Sequence, residues 1–303
     1  MVRGSAEARW SAARRIAGYA AASSMSLYLV VKVVWIAAAA FGHAPDGYGT
    51  ADWAVLNTVT VVMAATGVAL GLALAQGWGR RLHAVPVVFF SWVGAGFLVP
   101  MLPFMAVKGV LGGVGPAPRW ETVFLGIGFA GMAVGLAVAL PIYFRERWPR
   151  AFVGRVGDGP RFSSPLVTAA VLGAVVLGAL WCLWAAGVTV GLDPAQSHLR
   201  DLNGRLLYGS SGLAALLGAW SVWTLTRRRP VRLPLWVPVS LAFGTSGSLF
   251  AWSGWKLPMV LLRPGGFTTA EYVPVAVVEH VLGIGVGLTF MAVLLRAVAG
   301  PSE

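Results

Sequence analysis

The sequence predicts an all-α membrane protein with eight transmembrane helices, arranged as two parallel four-helix repeats with both termini in the cytoplasm. Three observations predict it. Apolar runs of about 20 residues or more, enough for a helix to cross a ~30 Å hydrocarbon core, recur from one end of the chain to the other. Basic residues crowd into alternate turns. Marker residues of the first half return, in order, in the second.

The runs come first. Of 303 residues, 57% are hydrophobic and 11% charged, against about 25% charged in a soluble domain, and the mean hydropathy is +0.75. Lipid leaves no partner for an open backbone, so unbroken runs of this length read as helices rather than barrel strands. A basic arm, residues 1–16, precedes the first span at 17–41. The "AAAAFGHA" stretch near its end has the small residues of a cleavage site. Lys32 interrupts the apolar region, however, and the span has a counterpart later in the chain, so it is expected to be retained. Spans at 53–76, 83–107 and 121–144 complete a first repeat, 17–144. A linker at 145–163 leads to a second repeat, 164–298, with spans at 164–190, 204–226, 234–262 and 272–298, followed by a tail at 299–303. Pro86, Pro100, Pro103, Pro238 and Pro258 predict kinks, tolerable where neighbouring helices cover the freed carbonyls.

Orientation follows from charge. The arm (Arg3, Arg9, Arg14, Arg15), the "GRRLH" turn, the "RERWPRAFVGRVGDGPR" linker, the "RRRPVR" turn and Arg296 hold 16 of the 23 basic residues. They hold only Glu7, Glu146, Asp158 and Glu303 of the acidic ones, so the whole formal charge of +12 lies on one side. The positive-inside rule makes that side the cytoplasm. Short basic turns between spans face anionic lipid, and nucleic acid is not expected as a partner despite a pI near 11. One cysteine, Cys182, excludes an internal disulfide. Twenty Arg against three Lys, with much Ala, Gly and Val, point to a high-GC bacterial genome, hence a bacterial cytoplasmic membrane.

The repeat rests on matched positions. "WIAAAAFG" from Trp35 resembles "WCLWAAGV" from Trp181 at an offset of 146, which also relates Asn57 to Asn203. Arg80-Arg81 matches Arg228-Arg229 at 148, "WETV" around Glu121 matches "AEYV" around Glu271 at 150, and Leu102-Pro103 matches Leu257-Pro258 at 155. Four spans is an even number, so both copies enter the membrane in the same sense, as parallel repeats do. Through Trp35 and Trp181, Asn57 and Asn203, and the basic turns, the chain resembles actinobacterial multi-pass membrane proteins built from tandem four-helix repeats. That resemblance implies the architecture and brings no activity.

The candidate site comes from charges inside spans. Glu279 lies 17 residues before Arg296, and Lys32 lies 17 residues after Arg15. At 1.5 Å per residue both root about 25 Å above their inner anchors. An isolated charge there costs at least ~2.5–3.5 kcal/mol, so the sequence predicts that Lys32 and Glu279 pair, with the first and last spans as neighbours. Tyr28 and Trp35, at i−4 and i+3, would shelter the ammonium. Gly283 and Gly287 share the stripe of Glu279 and allow close approach, and His280 stands beside it as a proton relay. At the repeat offsets Lys32 corresponds to Gly178, and Glu279 and His280 to Phe129 and Ala130, so the charges break the symmetry. Secondary candidates are Asn57 and Asn203, expected to hydrogen-bond between helices, and Glu121 and Glu271, expected at outer helix N-termini. Lys256, near Trp252 and Trp255, is expected to snorkel at the outer interface.

Several chemistries are excluded. The "GIGFAG" stretch at Gly126 spells GxGxxG, but it lies in an apolar helix with no preceding strand. There is no P-loop, no HExxH and no intramembrane histidine pair at ligand spacing, so neither cofactor nor metal is expected. The functional expectation is a transporter or permease for a small solute, with Lys32, Glu279 and His280 coupling it to protons. The alternatives are an intramembrane enzyme using Glu279 and His280 on a lipid or isoprenoid, and an assembly or sensing protein in which the Lys32–Glu279 pair is a structural clasp. The sequence leaves the oligomeric state open.

Overall fold

A computed structural model describes residues 2–45, 47–111, 119–194, 201–263 and 272–299. Among the described residues the chain is helical, without strands: α1 (Val2–Ala40), α2 (Thr50–Ala75), α3 (Ala84–Leu98), α4 (Met101–Leu111), α5 (Trp120–Arg147), α6 (Pro165–Ala186), α7 (Leu202–Arg227), α8 (Trp236–Leu262) and α9 (Val273–Ala299). Seven helical segments are long and apolar enough to cross a membrane, α3 and α4 together forming one of them, Ala84–Gly109. α8 has the length, 27 residues, but is not among the seven. It carries Lys256 and buries Thr245, Ser246, Ser248 and Ser253. Its hydroxyls turn back on its own backbone, Thr245 donating to the Leu241 carbonyl at 2.7 Å and Ser246 to that of Phe243 at 3.2 Å. Many helices also turn valine and leucine outward, among them Val30, Val33, Val62, Leu172, Val176 and Leu288, which suits lipid and not water.

Each predicted span falls on a helix. The basic arm is helical and continuous with the first span, since α1 runs unbroken for 39 residues from Val2. The third span is interrupted at Val99-Pro100, where Pro100 predicted a kink, and so divides into α3 and α4. Pro100 donates no backbone bond and disfavours helical geometry at the residue before it, so the ladder stops with Val99 N–H on the Ala95 carbonyl, 2.9 Å.

The described residues form two compact units, one of 2–94, 105–144 and Arg263, the other of 95–104, 145–262 and 272–299. In the first unit α1 lies between glycine faces. A Cβ on Gly71 of α2 would sit 2.8 Å from the Ala22 nitrogen, and one on Gly135 of α5 would sit 2.8 Å from the Ala17 carbonyl oxygen. Gly128 and Gly131, from the discarded nucleotide-like motif, pack on Tyr28 and Ser24. Without side chains these backbones meet closely, which is how helices gain dispersion energy in a solvent as apolar as they are. Buried Arg14 donates to the carbonyls of Leu74 and Ala75 and so closes the C-terminus of α2, where such groups are orphaned. Tyr143 is fully buried and donates to the Gly79 carbonyl at 2.7 Å.

In the second unit α6 crosses α7 at Gly178 and Gly212, and α8 meets α9 at Gly283 and Gly287. A Cβ on Gly287 would sit 2.8 Å from both the Ser246 oxygen and the Phe250 nitrogen. Gly96, from the end of α3, abuts the backbone of Gly247 and Ser248. The basic linker is ordered against the α7–α8 turn. Val156 N–H donates to Leu233 at 2.9 Å, Leu235 N–H to Gly154 at 3.1 Å, and the buried Arg228 donates through Nε to Pro160 at 3.1 Å. Burial lowers the Arg228 guanidinium from its usual value, and the negative Asp158 opposes that shift.

Candidate functional site

Two polar clusters stand among the apolar helices, one in each unit. In the first unit Lys32 of α1 directs Nζ to Asn57 Oδ1 of α2 at 3.1 Å. Asn57 is fully buried, and its Nδ2 donates to the Trp53 carbonyl one turn back, 2.7 Å, so its amide is held in place. The ammonium lies 4.4 Å from the Trp35 ring centroid and 5.4 Å from that of Tyr28, the two positions that helical spacing assigns to its shelter. Trp53 backs Trp35 at 5.2 Å between ring centres, and Phe129 meets Tyr28 edge-on at 5.0 Å. The cage combines an amide oxygen with two π faces, a favourable setting for a cation outside water.

In the second unit Glu279 Oε1 accepts from the indole N–H of Trp181 at 2.7 Å, joining α9 to α6. The sequence predicted one ion pair between Lys32 and Glu279. The two residues belong to different units, and within its own unit each has the partner just given, Asn57 for Lys32 and Trp181 for Glu279; equal depth along two helices does not decide which side chains around each helix they meet. The Gly283 and Gly287 stripe does pack closely, against Ser253, Ser246 and Phe250 of α8. One turn beyond Gly283 the stripe reaches Glu279, and there a cavity of about 250 Å³ opens among α6, α7, α8 and α9. Glu279, His280, Lys256 and Asp193 are its ionisable walls. Trp181, Trp184, Tyr208, Trp252 and Tyr272 supply rings, and Ser211 and Ser253 supply hydroxyls. His280 is 7% exposed, and Glu279 is half-buried.

Local structure explains how Asp193 arrives there. Gly187 caps α6 in the left-handed region, φ 100°, and Val188 N–H returns to the Leu183 carbonyl at 3.0 Å, the bonds of a Schellman-type stop. Trp184 then donates from Nε1 to the Val190 carbonyl at 2.8 Å, drawing the loop back over the helix end. Arg205 of α7 donates to the Ala185 and Ala186 carbonyls at 2.8 and 3.3 Å, and Asp201 caps α7 by accepting from Gly204 N–H at 2.7 Å. These bonds hold the loop bearing Gly191, Leu192 and Asp193 at the cavity.

The remaining candidates fall outside both clusters. Asn203 is exposed and donates to Asp201 Oδ2 at 3.4 Å, two residues before it, where an interhelical bond was expected. Its place in the first turn of α7 leaves it at the helix end. Glu121 sits in the first turn of α5 and pairs with exposed Arg119 at 3.3 Å. Glu271 lies outside the described residues. Sequence reasoning missed Asp193 and read Lys256 as an interfacial anchor, although Ser253 and Lys256 share one face of α8 at i and i+3. Among the described residues no three His, Cys, Asp or Glu side chains gather as a metal site would require.

The fold and these clusters define a multi-pass, helical integral membrane protein. No protein-family model, curated protein or solved structure matches the chain.

Proposed function

We propose that the chain is a permease-type transporter for a small solute, coupled to protons. On this reading it lies in a bacterial cytoplasmic membrane with both termini inside, as the one-sided basic turns favour. The observation that carries the reading is the cavity in the second unit. Ionisable side chains inside membrane helices are costly, and they mark solute and proton paths when they face a cavity. Here Glu279 and His280 of α9 and Lys256 of α8 face one cavity, joined there by Asp193 from the loop after α6. Glu279 and His280, adjacent on α9, are the pair placed to pass a proton as solute enters or leaves. A purely structural clasp would be sealed, and the open space beside Glu279 argues against that alternative.

The tandem repeat belongs to the same reading. Trp35 and Trp181 are its matched residues, and each touches the ionic group of its own unit, Trp35 by its ring face and Trp181 by its N–H. The first and fourth spans of each copy also meet, and on the fourth span the contact falls at matched positions, Phe129 against Tyr28 and Glu279 against Trp181.

The test uses purified protein in vesicles loaded with a pH-sensitive dye, challenged with a library of amino acids, amines, sugars and carboxylates. At least one class should move protons when added outside, and Glu279→Gln should abolish that movement. Vesicles in which no solute and no proton moves, but in which an added isoprenoid or lipid is chemically altered, would replace this reading by the enzymatic one.

A further inference from the structure

The cavity also carries information about the charge of its solute. We infer that it binds a monovalent organic cation, with the ammonium head against the Glu279 carboxylate and the neighbouring aromatic rings. This inference rests on the permease reading and narrows it to one class of solute.

Two observations support it independently. The first is charge. The described wall holds two carboxylates, Asp193 and Glu279, against one ammonium, Lys256, which leaves one net negative charge with His280 neutral. However these groups bond among themselves, that sum is unchanged. A monovalent cation neutralises it, a neutral or zwitterionic solute leaves it in place, and an anion doubles it. That balance favours the first case.

The second is the composition of the wall, seen beside the cage around Lys32. In the first unit the chain already holds an alkylammonium of its own, and does so with a Trp face, a Tyr ring and a side-chain oxygen. The cavity wall offers the same three kinds of group: Trp181 or Trp252, Tyr208 or Tyr272, and the carboxylate oxygens of Glu279. Trp184 meets the Tyr208 ring edge-on at 4.9 Å, and the Trp181 N–H fixes one oxygen of Glu279. Rings and carboxylate are thus positioned before any solute arrives, an arrangement that favours ammonium groups over their neutral isosteres. Lys32 is tethered by its own helix, whereas in the second unit the space beside Glu279 is open.

The experiment measures binding to full-length protein in detergent by thermal stabilisation and by calorimetry. Choline and tetramethylammonium are the cationic probes, 3,3-dimethylbutan-1-ol is the neutral isostere of choline, and glycine betaine carries the same head with a compensating carboxylate. Choline should stabilise the protein and bind at least tenfold more tightly than the alcohol or the betaine. Glu279→Gln should weaken choline binding at least tenfold while the protein still unfolds cooperatively. Should that variant not survive purification, Asp193→Asn serves the same test with a smaller expected loss. Phosphatidylethanolamine in mixed micelles separates a free solute from a lipid headgroup: stabilisation by the lipid and not by choline overturns the inference. Equal affinity for choline and its neutral isostere also overturns it, yet leaves the permease reading standing. Absence of binding by every probe overturns it too, and the vesicle library then decides separately whether any solute is carried.

Discussion

Replacing Trp181 by Phe would remove the indole N–H that Glu279 accepts while keeping an aromatic ring in place. The bond is short, 2.7 Å, and its acceptor is a carboxylate, which places it in the class of charge-assisted hydrogen bonds contributing about 1.5–3 kcal/mol. Glu279 is only half-buried, so a value near the lower end, about 1.5 kcal/mol, is expected for the bond. Trp181 is itself buried, and the smaller ring adds roughly 0.5–1 kcal/mol of lost packing. The total of about 2 kcal/mol corresponds to a fall of roughly 4–8 °C in Tm for a cooperative body of this size. The chain contains its own reporter, because its lone Cys182 lies half-buried at the α6–α7 crossing. A thiol-reactive fluorophore will report its exposure on heating. The double variant with Glu279→Gln isolates the bond, and the coupling should be about 1 kcal/mol. If the two substitutions add within ~0.3 kcal/mol, the contact has no energetic meaning and the orientation of Glu279 must come from elsewhere.

Gly287→Leu should destabilise by about 1–3 kcal/mol through overpacking against Ser246 and Phe250, whereas Gly285→Leu, where a Cβ meets nothing within 4 Å, should leave Tm unchanged. Asn57→Leu should cost about 1–3 kcal/mol in thermal unfolding, since it removes the oxygen that accepts from the Lys32 ammonium. Adding Lys32→Met should restore much of that loss, and a double variant no more stable than Asn57→Leu would refute the account. Arg205→Ala should speed amide hydrogen exchange in the α6–α7 loop, residues 187–194, by roughly three- to tenfold, as two helix-end carbonyls lose their donor.

The sequence was most informative where one helix decides the answer. The approximate helix positions follow from apolar length and from the proline that divides the third span. The close packing at Gly283 and Gly287 follows from small residues at helical spacing, and the rings beside Lys32 follow from i−4 and i+3 geometry. What the sequence did not reach needed knowledge of a second element. Depth placed Lys32 and Glu279 at one height but said nothing of azimuth, so Asn57 and Trp181 were not foreseen as partners within their units. Asn57 and Asn203 match in the repeat, yet one is buried deep against Lys32 and the other is exposed at a helix end. Asp193 was invisible because its position depends on a loop turned by Gly187 and fastened by Trp184, contacts with no periodic signature. The place of Lys256 in the cavity wall was not foreseen, because distance from Arg232 measures how far it lies across the bilayer and not whether a cavity reaches it.

The hydroxyl-rich character of α8 bears on biosynthesis. A nascent chain halted after Leu262 would present the translocon with a segment whose serines, threonine and lysine disfavour partition into lipid. The glycine face that covers it belongs to α9, which has not yet been made. The last two helices should therefore integrate together, and a truncation removing α9 should weaken the membrane association of α8 as well.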